Sequence, residues 1–321
     1  MSLESADTLT YCGNPLDTTP AGFGELRSSA EALSDVAELR QRMAEDGYLF
    51  LPGLLYRDQV AAARQEVMDR LQAAGILDGR YPAFEGVVKP DHTISFMPQL
   101  AKGNQPLMKL LYEGAMMDFY RNFLGGPVRH YDYTWFRAKT PGTRTATQPH
   151  YDVVYMGRGT RRLYTSWTPL VDVPWEMGGL MLLENSHRQE QLVRTYGQTD
   201  VDAYCEEGNA RVLVEAARNA GRELTAEERQ QIRWNSTGAY SPDAIEARKQ
   251  LGGRWLGAEY QMGDLLVFSM YTLHASTDNH TDRIRISSDS RYQLASEPVD
   301  DRWIGDDPPI HGIRAKRGMI C

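Results

Sequence analysis

Apolar residues recur at helical spacing in the first part of the chain and predict three helices there. The first helix is predicted to begin at Ser28, because Ser28 and Glu31 form a capping box, and to end at Gly47. Its apolar positions are Ala32, Val36, Leu39 and Met43. The other elements predicted in this part of the chain are a strand over 48–51 and helices over 58–75 and 106–125. The polar residues before Ser28 are expected to lie on the surface.

From residue 128 onward, the apolar pattern changes from helical spacing to alternation. Short runs rich in Tyr, Val, Thr and Trp are separated by glycine or proline turns, which is typical of antiparallel strands. The predicted strands cover 129–137, 150–156, 163–170, 179–184, 265–269 and 284–294. This pattern predicts a mainly β fold with flanking helices, of the sandwich or jelly-roll type.

A long stretch between the predicted strands, from about 188 to 257, is charged and has helical spacing. The helices predicted within it cover 202–207, 209–219, 225–234 and 242–251. Because strands resume after this stretch, we interpret it as an insertion within a single domain that spans residues 1–321. An insertion of this length is expected to cover the mouth of a pocket or to form a homo-oligomer contact.

Composition narrows the class of protein. Hydrophobic residues make up 41% of the 321 residues, which is enough for a sizeable core. The 43 acidic and 35 basic residues give a net charge of −8, which argues against a nucleic-acid partner or a basic membrane-surface protein, because both need a positive field. Cys12, Cys205 and Cys321 are too far apart for a disulfide framework or a cysteine zinc site. With no apolar stretch of membrane-spanning length and no signal-peptide pattern at the start, the sequence predicts a cytoplasmic protein.

A metal site is indicated by the residues around His150. In a strand, successive side chains alternate between the two faces, so His150 and Asp152 are expected to point the same way. An imidazole and a carboxylate in this arrangement are two of the three ligands in the 2-His-1-carboxylate site of non-haem Fe(II) oxygenases. His274 is the expected third ligand, because it follows a Gly-Asp turn and the predicted strand 265–269. His280 is the competing candidate, but it lies in a polar turn.

The predicted strand 284–294 offers an anion-binding pair. Arg285 and Ser287 fall on one face of this strand, and a guanidinium beside a hydroxyl suits a dicarboxylate. An arginine that points inward without an anionic partner would be costly, so an anionic co-substrate is expected. Arg283 and Arg291 share the same face and are the alternatives to Arg285.

Taken together, these residues resemble the phytanoyl-CoA dioxygenase family of Fe(II)/2-oxoglutarate-dependent oxygenases. The similarity rests on His150, Asp152 and His274, and on Arg285 eleven positions after His274. The Lys139-Thr-Pro-Gly segment before the first ligand also matches the family, and residues 178–187 are similar to a family turn, with Glu184-Asn185 in place of Pro-Gly. The resemblance covers roughly residues 128–294.

The resemblance implies a double-stranded β-helix, also called a jelly roll. It implies Fe(II) held by His150, Asp152 and His274, with 2-oxoglutarate anchored by Arg285. Ser287 would add a donor to the co-substrate, and Trp167 would either form a wall of its pocket or pack in the core. With O2 and a small-molecule substrate, such an enzyme oxidises an unactivated C–H, most simply by hydroxylation, and releases succinate and CO2.

Several other residues have less direct interpretations. Lys139 is expected to be a solvated loop lysine, and His187 is expected to brace a turn. The arginines at an expected exposed hairpin tip are Arg158, Arg161 and Arg162. The alternative function is a jelly-roll protein that binds metal or is purely structural, and it predicts no succinate formation.

Overall fold

The computed structural model describes residues 9–90, 92–202, 209–225, 227–228 and 238–311. The helices are α1 (Val36–Asp46), α2 (Arg57–Ala73), α3 (Gln105–Tyr112), α4 (Gly114–Leu124), α5 (Val153–Met156), α6 (Glu190–Arg194), α7 (Asn209–Asn219) and α8 (Ala244–Leu251). The strands of the first half are β1 (Thr10–Tyr11), β2 (Asn14–Pro15), β3 (Phe23–Glu25), β4 (Tyr48–Leu51), β5 (Val128–His130) and β6 (Trp135–Lys139). Those of the second half are β7 (Tyr164–Pro169), β8 (Leu180–Leu183), β9 (Trp255–Gly257), β10 (Leu265–Ser269), β11 (His274–Ser276) and β12 (Arg285–Leu294).

Helix α1 begins later than predicted. Ser28 does not cap it, because the Ser28 hydroxyl accepts from the nearby backbone N–H of Ala30 and a short 3-10 turn follows. Asp35 is the cap instead, since its side chain accepts from the N–H groups of Ala37 and Glu38. The capping-box prediction was therefore wrong, and the end at Gly47 is confirmed.

The helix predicted over 106–125 is two helices. Glu113 has an extended backbone, with φ −136° and ψ 178°, and Gly114 has a positive φ of 51°, so α3 stops and α4 starts in a new direction. The apolar face of α4 then packs on the sheet, where Tyr120 stacks on Tyr292 of β12 with ring centroids 4.1 Å apart. Helix α2 packs against α3 and forms as predicted.

Two larger sheets form the β part of the described residues. A six-stranded antiparallel sheet has the order β4-β10-β7-β12-β5, and β6 also pairs with β12. A four-stranded sheet has the order β11-β8-β9-β3, in which β3 and β9 run parallel. Side chains from both sheets share one apolar core, as Leu182 of β8 and Phe268 of β10 illustrate. The structure thus has mixed sheets flanked by helices.

Two of the predicted strands differ in the structure. Residues 129–137 form two separate strands, β5 and β6, both on β12. Residues 150–156 are not a strand, because His150 makes one isolated bridge with His274 and the chain then turns into α5. Strands β1, β2, β3, β9 and β11 were not predicted, since each has only two or three residues.

Within the insertion, α7 and α8 confirm two of the predicted helices. Of the predicted helix 225–234 only residues 225, 227 and 228 are described, with 227–228 helical, and of the predicted helix 202–207 only residue 202 is described; the remainder of both lies outside the described residues. Helix α8 packs on the four-stranded sheet, where the indole N–H of Trp255 donates to the carbonyl of Ala244 at 3.1 Å. In the part of the chain that the structure describes, none of the helices is both long and apolar enough to span a membrane.

Gly47 joins α1 to the turn that precedes His274. Its carbonyl accepts from the hydroxyl of Thr272 at 2.7 Å and from the N–H of Ser269 at 3.0 Å. Its φ is +78°, and a Cβ at this position would lie 2.5 Å from Nδ1 of His187. Only glycine fits both the conformation and the space.

We therefore expect Gly47→Ala to destabilise the protein more than Gly53→Ala. Both glycines have a left-handed φ, which costs alanine about 1–2 kcal/mol, but a Cβ at Gly53 would meet open space. The clash at Gly47 adds about 1–3 kcal/mol. Urea unfolding of the two variants measures the difference, and equal free energies of unfolding would contradict the assigned packing.

Candidate active site

His150 and His274 are paired through their backbones. The N–H of His150 donates to the carbonyl of His274 at 3.0 Å, and the N–H of His274 donates back at 3.1 Å. The two imidazoles consequently lie side by side, with ring centroids 4.1 Å apart, and both are buried. This pairing confirms the prediction that the fold brings the two histidines together.

Asp152 reaches the same point from a helical turn. Asp152 has helical backbone angles, with φ −64° and ψ −30°, and lies at the start of α5. The next residue, Val153, donates its N–H to the carbonyl of Met270 at 3.1 Å. The prediction that Asp152 and His150 lie on one face of a strand was therefore wrong, because Asp152 is not in a strand. Its Oδ1 nevertheless lies 3.8 Å from Nε2 of each histidine. One ligand atom from each of the three residues falls within 4.8 Å of the others.

The hydrogen bonds of the imidazoles leave their inner nitrogens available. Nδ1 of His150 lies 2.7 Å from the carbonyl of Gln148, and Nδ1 of His274 lies 3.1 Å from that of Thr272. A carbonyl only accepts, so each Nδ1 carries the proton and each Nε2 presents a lone pair. Burial lowers the pKa of both histidines, which keeps them neutral. Two neutral imidazoles and a carboxylate are the donor set that suits Fe(II) with open positions.

Asp152 is held as a carboxylate by two further residues. Thr165 donates its hydroxyl to Oδ2, and Nη2 of Arg291 donates to the same oxygen at 3.0 Å. Burial raises the pKa of Asp152, but the charge of Arg291, together with the hydrogen bond from Thr165, outweighs burial, so the pKa lies well below its usual range. The guanidinium of Arg291 also lies over the ring of Trp135, 4.0 Å from its centroid. Sequence reasoning missed Thr165, and it placed Arg291 on the correct face without assigning it this contact.

The turn that carries Asp152 is tied to the C-terminal part of the described chain. Nη2 of Arg302 donates to the carbonyl of Tyr155 in α5 at 2.8 Å. The same guanidinium pairs with Asp300 and with Asp202, which is also 3.1 Å from Nδ1 of His311. These groups are buried, and nothing in their sequence spacing indicated the cluster.

Arg285 is fully buried on β12 beside the other predicted co-substrate residues. Its Nη1 donates to the hydroxyl of Ser287 at 3.2 Å, and its Cζ lies 5.7 Å from the Trp167 ring centroid. Burial, and then the nearby Arg137, lower its pKa to about 9, so it stays cationic at neutral pH. Among the described residues no carboxylate forms an ion pair with Arg285, and its Nε has no hydrogen-bond partner. Trp167 packs edge-on against Tyr260 in the core.

Lys139 is not the solvated loop lysine that was expected. It ends β6 directly opposite Arg285 and is only 1% exposed. Its ammonium donates to the hydroxyl of Thr147 at 2.8 Å and to that of Ser276. Burial lowers its pKa well below the ordinary value, and Arg285 adds to this effect. Two buried basic groups thus lie side by side, and in the described part of the chain neither forms an ion pair with a carboxylate.

A cavity of about 690 Å³ opens onto His150 and Asp152. Its basic lining residues are Arg137, Arg144 and Arg291, and its aromatic ones are Phe96, Trp135 and Tyr155. Arg285 is not among the lining residues. A cavity of this size accommodates a small organic molecule next to the three ligand atoms.

The competing candidates lie away from this centre. His280 is exposed and bonds Thr10 at 2.7 Å, and Nε2 of His187 bonds the carbonyl of Ala44 at 3.2 Å, as expected for a brace. Arg283 is half exposed and pairs with Glu85. The arginines of the expected hairpin tip lie on the surface, where Arg158 pairs with Asp200. His150, Asp152 and His274 are the one group of three possible metal ligands in the described ranges.

Comparison with known proteins gives one family and several related folds. The profile of the family "Phytanoyl-CoA dioxygenase (PhyH)" matches residues 43–287. SnoK, a non-heme alpha ketoglutarate dependent carbocyclase from nogalamycin biosynthesis, has a TM-score of 0.55 at 19% identity, covering 86% of this chain and 89% of its own. The epimerase SnoN, in complex with Fe3+, alpha ketoglutarate and nogalamycin RO, gives 0.53 at 18%, covering 86% and 93%. EctD from S. alaskensis, with 2-oxoglutarate and 5-hydroxyectoine, gives 0.51 at 17%, covering 91% and 87%. At these identities the three structures share the fold with this chain.

Arg291→Gln is expected to weaken Fe(II) binding about tenfold, the usual effect of removing a group that orients a ligand. Because Arg291 lowers the pKa of Asp152, its loss raises that pKa. The carboxylate then protonates, and releases metal, at a higher pH than in the unmutated protein. Anaerobic Fe(II) titrations over a series of mildly acidic to neutral pH values measure this shift. Arg129→Gln, an exposed position on β5, is the control, and identical pH profiles for both variants would refute the role given to Arg291.

Proposed function

This chain belongs to the phytanoyl-CoA dioxygenase family, and we propose that it hydroxylates an unactivated C–H of a small organic substrate. The family predicted from the sequence is confirmed, and with it the class of enzyme, a non-haem iron oxygenase that depends on 2-oxoglutarate. The observation that supports the proposal best is the convergence of His150, Asp152 and His274 beside a cavity. The neighbours that bind iron and 2-oxoglutarate support the choice of cofactors.

In this proposal His150 and His274 hold Fe(II) through Nε2, and Asp152 holds it through Oδ1. The backbone carbonyls of Gln148 and Thr272 fix the imidazole rings, and Arg291 keeps the carboxylate ionised. When bound, iron, 2-oxoglutarate and O2 supply the oxidation, with succinate and CO2 as co-products. The chain itself orients the ligands, excludes water and positions the substrate C–H.

Arg285 is proposed to anchor the distal carboxylate of 2-oxoglutarate. Its buried, cationic guanidinium pairs with no carboxylate of the described residues, so the carboxylate of an incoming ligand would give this charge a charge-assisted partner. Ser287 supplies a hydroxyl at the same place, and Trp167 forms a wall. Lys139, opposite Arg285 in the ladder, adds a second basic group.

The two larger sheets are proposed to be the halves of a double-stranded β-helix within a single domain. The shared apolar core and the bridge between His150 and His274 support this arrangement. The insertion between about 188 and 257 is proposed to cover the cavity, which Ala239 helps to line, or to mediate oligomer contacts.

His274→Ala should abolish the visible charge-transfer band that Fe(II) and 2-oxoglutarate give with the protein under anaerobic conditions, because it removes one of three ligands. His280→Ala, on the exposed turn, should leave the band unchanged. Under O2, His274→Ala should likewise release no succinate, and His280→Ala should release as much as the unmutated protein. A jelly-roll protein that only binds metal would bind Fe(II) but release no succinate, and a band that survives in His274→Ala would refute the ligand set.

Arg285→Ala should raise the concentration of 2-oxoglutarate required for the band and for succinate release. Removing one side of a buried charged pair costs about 2–5 kcal/mol, which corresponds to an increase of roughly 30-fold or more. Arg283→Ala removes an exposed arginine of the same strand region and should change the requirement little. Equal effects in the two variants would show that Arg285 is not the anchor.

A further inference from the structure

The cavity beside the triad has a strongly basic lining. Arg137, Arg144 and Arg291 all line it, and Asp152 is the one acidic lining residue among those described. Asp152 is already engaged by Arg291 and faces the histidines. This charge contrasts with the chain as a whole, whose net charge is −8.

Loading the site with its cofactors leaves this excess of positive charge in place. Fe(II) and the 2-oxoglutarate dianion cancel each other, so the charges of the protein decide the balance. Among the described residues, Arg137 pairs with Asp289 and Arg291 pairs with Asp152, whereas neither Arg285 nor the exposed Arg144 forms an ion pair. An anionic ligand in the cavity would compensate this excess of positive charge.

Arg137 is the basic residue best placed to receive such a ligand. It lies on β6 opposite Ser287, and its Nε donates to Asp289 at 3.3 Å. Neither of its Nη groups has a hydrogen-bond partner among the described residues, and its side chain is 22% exposed to solvent. Its guanidinium lies over the Phe96 ring, with Cζ 5.6 Å from the ring centroid, and Phe96 also lines the cavity.

The remaining lining suits the carbon skeleton of a small acid. Phe96 and Tyr155 line the same cavity, and the Tyr155 ring packs edge-on against His150 with centroids 5.4 Å apart. A molecule whose anionic group meets Arg137 therefore places its carbon skeleton toward the proposed iron ligand. The volume of about 690 Å³ holds a small acid and is in the range typical of small-molecule sites.

We propose that the prime substrate is a small organic acid whose carboxylate is bound by Arg137, with Arg144 adding a second positive charge at the mouth. This inference rests on the proposed function and goes beyond it by naming the class of substrate. A planar guanidinium with two open N–H groups matches a carboxylate in a bidentate pair, which a neutral amide cannot form. Arg285 and Lys139 remain the residues for the co-substrate, and Arg137 and Arg144 those for the substrate.

The test compares matched pairs of acids and primary amides as probes. 3-Phenylpropanoate with 3-phenylpropanamide, and hexanoate with hexanamide, are titrated anaerobically by calorimetry into protein loaded with Fe(II) and 2-oxoglutarate. The acids should bind at least about tenfold more tightly than their amides, as expected for a charge-assisted bidentate pair. Arg137→Gln should abolish this preference, Arg144→Gln should reduce it, and Arg129→Gln should leave it unchanged.

The outcomes separate the substrate class from the proposed function. Absence of the charge-transfer band in the unmutated protein would overturn the function itself. A normal band together with amides that bind as tightly as acids, or with no binding of either acid, would overturn only the substrate class. A higher 2-oxoglutarate requirement in Arg137→Gln with an unchanged acid preference would assign Arg137 to the co-substrate and also overturn the inference. Since Arg144 is exposed, Arg144→Gln provides a variant that folds even if Arg137→Gln does not.

Discussion

Two reciprocal backbone hydrogen bonds between His150 and His274 hold together residues from distant parts of the chain. Because the backbones are fixed, a further hydrogen bond from each Nδ1 to a carbonyl two residues earlier is enough to orient each ring. The N–H of Val153 bonds the chain just before His274 and turns Asp152 toward both rings. The ligand geometry is therefore set mainly by main-chain hydrogen bonds, which side-chain substitutions elsewhere disturb little.

The second constraint is the burial of charge around that pair. Asp152 and Arg291 form a buried ion pair, whereas Arg285 is buried and pairs with no carboxylate of the described residues. A protein can tolerate an unpaired buried cation when the free energy lost in folding is recovered on binding an anion. In the proposed site the same imbalance would favour an anion, since a neutral molecule would leave the Arg285 charge uncompensated.

The sequence was sufficient to predict that His150, Asp152 and His274 lie close together, but not the way in which they are positioned. Asp152 comes from a helical turn, which an alternating pattern cannot predict. Asp35 competes with Ser28 for the start of α1, and only the packed structure decides between two plausible caps. Thr165, Arg291 and Lys139 could not be assigned, because their roles depend on contacts between strands that are remote in sequence. Helices α2, α7 and α8 were predictable, since their signals are local.

The position of the insertion has a consequence for how the chain folds. The insertion lies between His150 and His274, so it is part of the loop that closes when the two backbones meet. The entropy of closing a loop rises only with the logarithm of its length, and doubling the loop costs about 0.6 kcal/mol. Residues can thus be added to or removed from this segment at small cost to the pairing of the two histidines. The segment between the two histidines can therefore vary in length and shape while their paired backbones keep one geometry.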